Sequence, residues 1–405
     1  MPQIIINPKP KYNIKSILIL FGLLCSRLGT SIYTLSLPLI AYNLTGSGII
    51  LGTVYALEML PFIILLPLGG VLIDRFNRRK IMIVADVLRF LFILVIPVTY
   101  HFGFLNITVI FIMAFLLSTM SFFVDVSLLT IIPQIIESEH LAKFNARIQT
   151  IENLARVGGP VLAGVLIGFV GVYNALYFNG LTYLLMAICI LCIGSVALSK
   201  ENKKIKNIWV EAQEGFLFLI KRSDLRLIAL ISFLSNFGMG IFLSTYIYYL
   251  KNVLLVPTIY IGFVSACGGI FGILGSLLIG PLMNKFSREK LMTYLLLFGG
   301  GLGTLLIALI PNWLATGIGF GIWGGSITIM AIILTTYKQQ NISNDIFGRV
   351  EGALTSLSYL SLPLAGLIGG VLINNFSSVL TYTIAGLTVV LCGFISLFMP
   401  LKKVE

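Results

Sequence analysis

Charge is scarce in this chain and histidine nearly missing: 10% of its 405 residues are Asp, Glu, Lys or Arg, and there are 2 histidines. A soluble globule is closer to one quarter charged, so a soluble fold is excluded. His101 and His140 both fall in loops. There is no HExxH zinc motif, no phosphate-binding glycine loop and no Ser/His/Asp set. Neither an enzyme nor a metal or organic cofactor is expected. The five cysteines, Cys25, Cys189, Cys192, Cys267 and Cys392, all lie in apolar segments. Cys189-x-x-Cys192 there reads as helix packing, not as a redox pair.

What the chain does have is apolar length. Hydrophobic residues make up 58% of it, with a mean hydropathy of +1.02. Runs of about twenty apolar residues recur, each long enough to cross ~30 Å of hydrocarbon as a helix. They predict twelve spans: 16–42, 47–73, 80–101, 105–133, 143–170, 173–197, 225–250, 257–283, 288–311, 313–336, 348–374 and 379–400. Lys9, Lys11 and Lys15 precede the first as in a signal peptide, but no small-residue cleavage site follows. A retained first helix is expected. The predicted class is an all-α integral membrane protein.

The net charge of +12 suggests nucleic acid until the bases are located. All 27 except Arg27, Arg89, Arg156 and Lys251 fall in the termini or in alternate loops on one side. That asymmetry is the positive-inside signal and predicts both termini in the cytoplasm of a plasma or inner membrane. The basicity orients the chain in a bilayer, and no nucleic-acid partner is expected.

The most polar internal stretch, Lys200 to Arg226, divides the spans six and six. Ile208, Trp209, Ala212, Phe216 and Leu219 recur at helical spacing within it, which predicts an amphipathic helix on the membrane face. The expected organisation is an N-terminal bundle (1–199), a linker (200–224) and a C-terminal bundle (225–405). GGVLIDRFNRRK at 69–80 returns as IGPLMNKFSREK at 279–290, a displacement of 210. A second echo places Arg147 on Arg349, Gly164 on Gly366 and Gly168 on Gly370, a displacement of 202. Parallel repeats imply two six-helix bundles related by an axis along the membrane normal, with a path between them.

The 69–80 loop resembles the loop signature of the major facilitator superfamily, matching it at Gly70, Asp74, Arg75, Arg78, Arg79 and Lys80, with Asn77 where glycine is usual. SRLGTSIYTLSLPLIAYNLTGS (26–47), LPLGGVLIDRFNRRKIMIVADVLRF (66–90) and EAQEGFLFLIKRSDLR (211–226) resemble the branch containing macrolide exporters and the enterobactin exporter. Gly159, Pro160 and Gly164 resemble the antiporter motif of drug/proton exchangers. The resemblance implies that Asp74 approaches the start of span eleven near Arg349 and latches the cytoplasmic side, with Arg75, Arg78 and Arg79 held close to the adjoining bundle. It also implies that spans one and four line a central cavity. Two features depart from the family's antiporters: FLLSTMSFF (115–123) lacks the span-four arginine, and Thr30 stands where this branch often has an acid.

Ionisable side chains inside a bilayer cost several kcal/mol unless paired or solvated, which makes each a functional candidate. All such residues lie in the first half: Arg27, Glu58, Asp86, Arg89, Asp125, Glu152 and Arg156. Arg27, Thr30, Ser31 and Thr34 form one polar stripe at i, i+3, i+4, i+7, and Ser118, Ser121 and Asp125 share a face of span four. Glu58, the deepest, is the leading proton carrier. Alternatives are a fixed Arg27–Glu58 pair or direct substrate contact. Asp125 ranks second for coupling or binding. Asp86–Arg89 and Glu152–Arg156 are read as structural pairs. In the second half Ser232, Ser235, Asn236 and Met239, followed by Phe242, Tyr246 and Tyr249, predict a neutral wall suited to bulky amphipathic ligands, or else bundle packing.

The expected function is a monomeric secondary transporter in contact with lipid. It would export a lipophilic or amphipathic small molecule, drug-like or macrolide-like, by alternating access with proton antiport. A lipid or siderophore exporter, or an uncoupled facilitator, is the alternative on the same fold. A non-transporting membrane sensor or assembly partner is the alternative of another class.

Overall fold

The computed structural model describes residues 14–75, 77–194 and 208–398. Among them are 12 helices long and apolar enough to cross a membrane. The first half comprises α1 (Ile14–Thr45), α2 (Gly48–Arg75), α3 (Arg78–His101), α4 (Ile107–Ile135), α5 (Ser138–Val170) and α6 (Val172–Cys192). After α7 (Ile208–Lys221), the second comprises α8 (Ser223–Tyr248), α9 (Thr258–Lys285), α10 (Arg288–Tyr294), α11 (Leu302–Leu309), α12 (Trp313–Asn341), α13 (Asn344–Asn375) and α14 (Ser378–Ser396). A π-helical turn at Tyr249–Val253 extends α8, and another at Leu295–Gly301 joins α10 to α11 into one span. The predicted spans match these helices to within a few residues. The turns near Asn77, Glu137, Ser287 and Ser343 lie at one end, the basic end, and those after α1, α3 and α8 at the opposite end.

Polar residues set the helix starts where the apolar runs do not. Asn77, standing in place of the usual glycine, caps α3 by accepting from the Lys80 amide at 3.2 Å. Asn106, Ser287, Asn312 and Ser377 cap α4, α10, α12 and α14 in the same manner. Each side-chain oxygen satisfies an amide that the first helical turn leaves without a partner.

The helix starts repeat at 210 residues in the second and third spans, within one residue of that in the first, and at a shifted displacement in the last three. α2 and α9 are both 28 residues long and start 210 residues apart. From α4 onward the displacement falls to 206: Ile107 corresponds to Trp313, Ser138 to Asn344 and Val172 to Ser378. The 202-residue register expected for span five is therefore off by one helical turn. Its guide was a pair of glycines four apart, Gly164 and Gly168. A four-residue slip keeps such a pair on the same helix face. In the observed register Lys143 corresponds to Arg349.

Second-half helix ends are tied by charge. Arg222 donates to both Asp224 carboxylate oxygens, at 3.1 and 2.5 Å, and to the Asn341 carbonyl at 2.8 Å. The hydrogen bonds to Asp224 push the Arg222 guanidinium above its usual value. Lys338, buried near the end of α12, donates to both Glu351 oxygens at 2.7 and 2.6 Å. The linker helix α7 packs on α13, with Leu219 buried and Gly215 against the Arg349 backbone.

Candidate functional site

Six of the seven in-span charges of the first half form two clusters and one isolated acid, and the seventh, Arg156, is exposed. Arg27 on α1 joins three helices: its Nε donates to Glu152 on α5 at 2.8 Å and its NH2 to Asp125 on α4 at 2.9 Å. One guanidinium thus faces two carboxylates, all three side chains between a quarter and a third exposed. The expected Glu152–Arg156 partnership gives way to Glu152–Arg27, because α1 lies beside α5 and reaches the carboxylate first. Nor does Arg27 pair with Glu58; that alternative is not the arrangement formed.

The second cluster is Asp86–Arg89, a pair predicted from their three-residue spacing on α3. The two meet at 2.9 Å with side chains 0% and 2% exposed. Arg89 also donates to Thr30 at 3.2 Å and lies 3.7 Å from the Tyr183 ring centroid. A buried cation so surrounded by an acid, a hydroxyl and an aromatic face recovers much of its lost hydration. Thr30 consequently turns away from the Arg27 face into the bundle, while Thr34 remains exposed. The second half replaces this cluster with apolar residues. Leu296 stands at the Asp86 position and Val389 at the Tyr183 position, and both line a small internal cavity with Gly300 and Trp323.

Glu58 is the isolated acid. It sits ten residues into α2, ~15 Å from the opposite end at 1.5 Å per residue. Its Oε1 is buried without a hydrogen-bond partner, as is the Tyr33 hydroxyl. Tyr33 and Tyr55 of the first half and Tyr246 of the second lie within electrostatic range of the carboxyl, although Tyr33 does not meet hydrogen-bond geometry with it. Ser118 of α4 donates to the Glu58 main-chain carbonyl and fixes α2 against α4. Glu58 is thereby placed among phenols from both halves. Periodicity placed Tyr246 on the second-half wall but did not single out Tyr33 or Tyr55, because α1, α2 and α8 each bring one of the three. Asn236, expected on the second-half wall, donates to the Ser358 carbonyl at 3.4 Å and ties α8 to α13.

Above Glu58 the halves meet along two glycine seams. In one, Gly48 and Gly52 of α2 pack on Gly366 and Gly370 of α13. A Cβ on Gly370 would lie 2.7 Å from the Gly48 carbonyl oxygen, and one on Gly52 would collide with that of Gly366. In the other, Gly262 of α9 packs on Pro160 and Gly164 of α5. Gly159 points elsewhere, against Ser31 of α1. Small residues four apart allow this backbone approach. Gly158 and Gly168 have open space where a Cβ would be. Gly48, Gly52 and Gly262 were missed, although the Gly48-x-x-x-Gly52 spacing signals them.

At the basic end, the side chains of Gly70, Asp74 and Arg75 lie outside the described residues. Arg78 donates to the Thr130 carbonyl of α4 at 3.1 Å. Arg79 donates to the Ile190 and Leu191 carbonyls near the end of α6, at 3.1 and 2.6 Å. These contacts lie within the first half, where the resemblance implied the adjoining bundle. The reason is local: the last carbonyls of α6 have no helical acceptor role to fill and attract a cation. Lys80 is exposed. Arg349 donates to Glu214 of α7 at 2.5 Å, which fastens the linker helix to the start of α13.

The same architecture recurs in known transporters. The nucleoside transporter NupG superposes with a TM-score of 0.81 over 97% of this chain and 100% of its own, at 13% identity. A bacterial homologue of the iron transporter ferroportin, in an inward-facing state, gives 0.75 over 95% and 98%, at 19% identity. By sequence, the chain is 22% identical over 407 residues to the multidrug efflux pump Tap of Mycolicibacterium fortuitum, covering 95% of each. It is 24% identical over 366 residues to macrolide efflux protein A of Streptococcus pyogenes, covering 86% of each. The family model of the Major Facilitator Superfamily matches residues 19–366. Twelve spans in repeated halves, embedded acids and glycine seams between the halves are thus those of a transporter, and this chain belongs to the Major Facilitator Superfamily.

Proposed function

We propose that this protein exports lipophilic or amphipathic small molecules across the plasma membrane in exchange for protons, with Glu58 as the proton carrier. The observation that carries the reading is the buried, unpartnered Glu58 Oε1 set among tyrosines from both halves. A carboxyl without a fixed cation partner is free to gain and lose a proton as its surroundings change between states. The Arg27–Asp125–Glu152 cluster holds one acid in excess, so it offers a second place for a proton or a cationic group. Of the residues expected on the second-half wall, Ser235, Phe242 and Tyr249 are buried in bundle packing, whereas Ser232, Asn236, Met239 and Tyr246 keep part of their surface and suit apolar cargo. The names of the macrolide and multidrug efflux relatives support the same cargo class.

The positive-inside asymmetry puts the basic end in the cytoplasm. With that orientation, the glycine seams would close the outer side. Protons loaded on Glu58 from outside would be released inward as cargo binds. The test is growth of a pump-deficient host carrying the protein or its Glu58→Gln variant on macrolides, lipophilic cations and other toxic amphipaths. Resistance lost with the variant at equal expression supports the reading. Full resistance in the variant removes Glu58 from the mechanism, and no resistance to any compound moves the cargo to an endogenous lipid or siderophore.

A further inference from the structure

The two glycine seams are one contact made twice. Gly52 and Gly262 are 210 residues apart, and Pro160 and Gly164 correspond to Gly366 and Gly370 at 206. Their polar ends nevertheless differ. In the α2–α13 seam, Oδ1 of Asn374 accepts from the Gly48 amide at 3.0 Å and from the Ser47 hydroxyl at 3.3 Å. Gly48 is the first residue of α2, so its amide has no acceptor in its own helix. A side chain of the second half therefore caps a helix of the first. In the α5–α9 seam, Asn374 corresponds to Gly168, which has no side chain and faces open space where a Cβ would be. Ser47 corresponds to Pro257, and α9 starts without a side-chain cap.

We propose that Asn374 is the latch of the opposite-end gate, so that the α2–α13 seam is held closed by hydrogen bonds while the α5–α9 seam rests on packing alone. When the halves part, Gly48 and Ser47 exchange Asn374 for water, since both donors lie at the end of the helix. The net gain per neutral bond is small, which corresponds to about a three- to tenfold bias in the odds of closure. A charged clasp at that site would hold the gate more tightly. Asn374 is a positioning residue: it sets how often the gate is closed and does not touch cargo. The inference rests on alternating access, not on proton coupling or on the identity of the cargo.

The test uses the full chain with its five cysteines replaced, and spin labels at Phe102→Cys and Ile310→Cys, exposed turn positions at the opposite end of the two halves. Pulsed dipolar spectroscopy then reads the odds of the long over the short distance. Asn374→Ala is expected to raise those odds about three- to tenfold. Asn374→Asp keeps the acceptor and is expected to hold them at or below the parent value, as is Gly168→Ala at the corresponding site. Thermal unfolding in detergent establishes that each variant is folded. Unchanged odds in Asn374→Ala, an equal rise in Gly168→Ala, or a rise in Asn374→Asp each overturns the proposal.

Discussion

Tyr42 and Asn252 occupy the same place in the two repeats, 210 residues apart, and bond to each other across the molecule: the Tyr42 hydroxyl donates to Asn252 Oδ1 at 3.2 Å. Asn252 in turn donates to Tyr248 at 3.0 Å, and the Tyr42 and Tyr248 rings meet edge to face at 6.0 Å. Contact between corresponding residues requires them to lie close to the repeat axis. Asn252 is carried there by the π-helical turn that ends the seventh span. Such turns commonly re-aim side chains at working sites. The closed side of the transporter is thus centred on a neutral contact, with the two glycine seams on either side.

Glu58→Gln should abolish transport driven by an imposed pH gradient while leaving the protein folded, because the amide keeps the volume and loses the exchangeable proton. Cargo flux into proteoliposomes with and without the gradient checks this. Flux in the variant that still follows the gradient would place the coupling elsewhere, with Asp125 the next candidate.

Arg27→Ala leaves Asp125 and Glu152 facing each other inside the membrane. We expect a loss of about 1–3 kcal/mol in unfolding free energy, less than for a fully buried pair because the side chains are partly exposed. Adding Asp125→Asn and Glu152→Gln should restore the melting temperature. Transport is expected to stay impaired in the triple variant. Recovery of both would mean that the cluster only holds α1, α4 and α5 together.

Asp86→Ala strands the Arg89 guanidinium in a buried site, which costs about 3–5 kcal/mol. Denaturation in detergent should show this as one of the most destabilised single variants. A near-neutral result would require water to reach Arg89.

Gly52→Ala pushes a methyl group into the Gly366 backbone, which cannot move aside as a side chain would. The expected result is a gate that fails to close and transport reduced at least tenfold, whereas Gly168→Ala transports normally. Cargo flux for the two variants at matched reconstitution decides the matter, and equal activity would remove the seam from the cycle.

Asp74→Asn should shift the population toward the form open at the basic end, if the loop acid acts as the superfamily latch. The check is cysteine accessibility at that end; an unchanged labelling rate would sink the latch.

The sequence alone determined the class, the twelve spans and the repeat. Long apolar runs and biased loop charge act locally, through the hydrophobic thickness of the bilayer and the cost of moving bases across it. It also located the charged residues deep within the spans of the first half, whereas the buried Asp224 and Lys338 of the second half lie near helix ends. Partner choice lay beyond it. Arg27 had Glu58 as its candidate partner, while Glu152 was assigned to its neighbour Arg156. Only the packing of α1 against α4 and α5 decided which acids come within 3 Å. The register of span five was ambiguous by one turn, because small residues spaced by four look alike after a four-residue slip; the backbone seams resolved it. Asn374 and Asn252 carry no sequence signal, since ordinary polar residues at helix ends acquire a role only when the other half of the molecule is placed beside them.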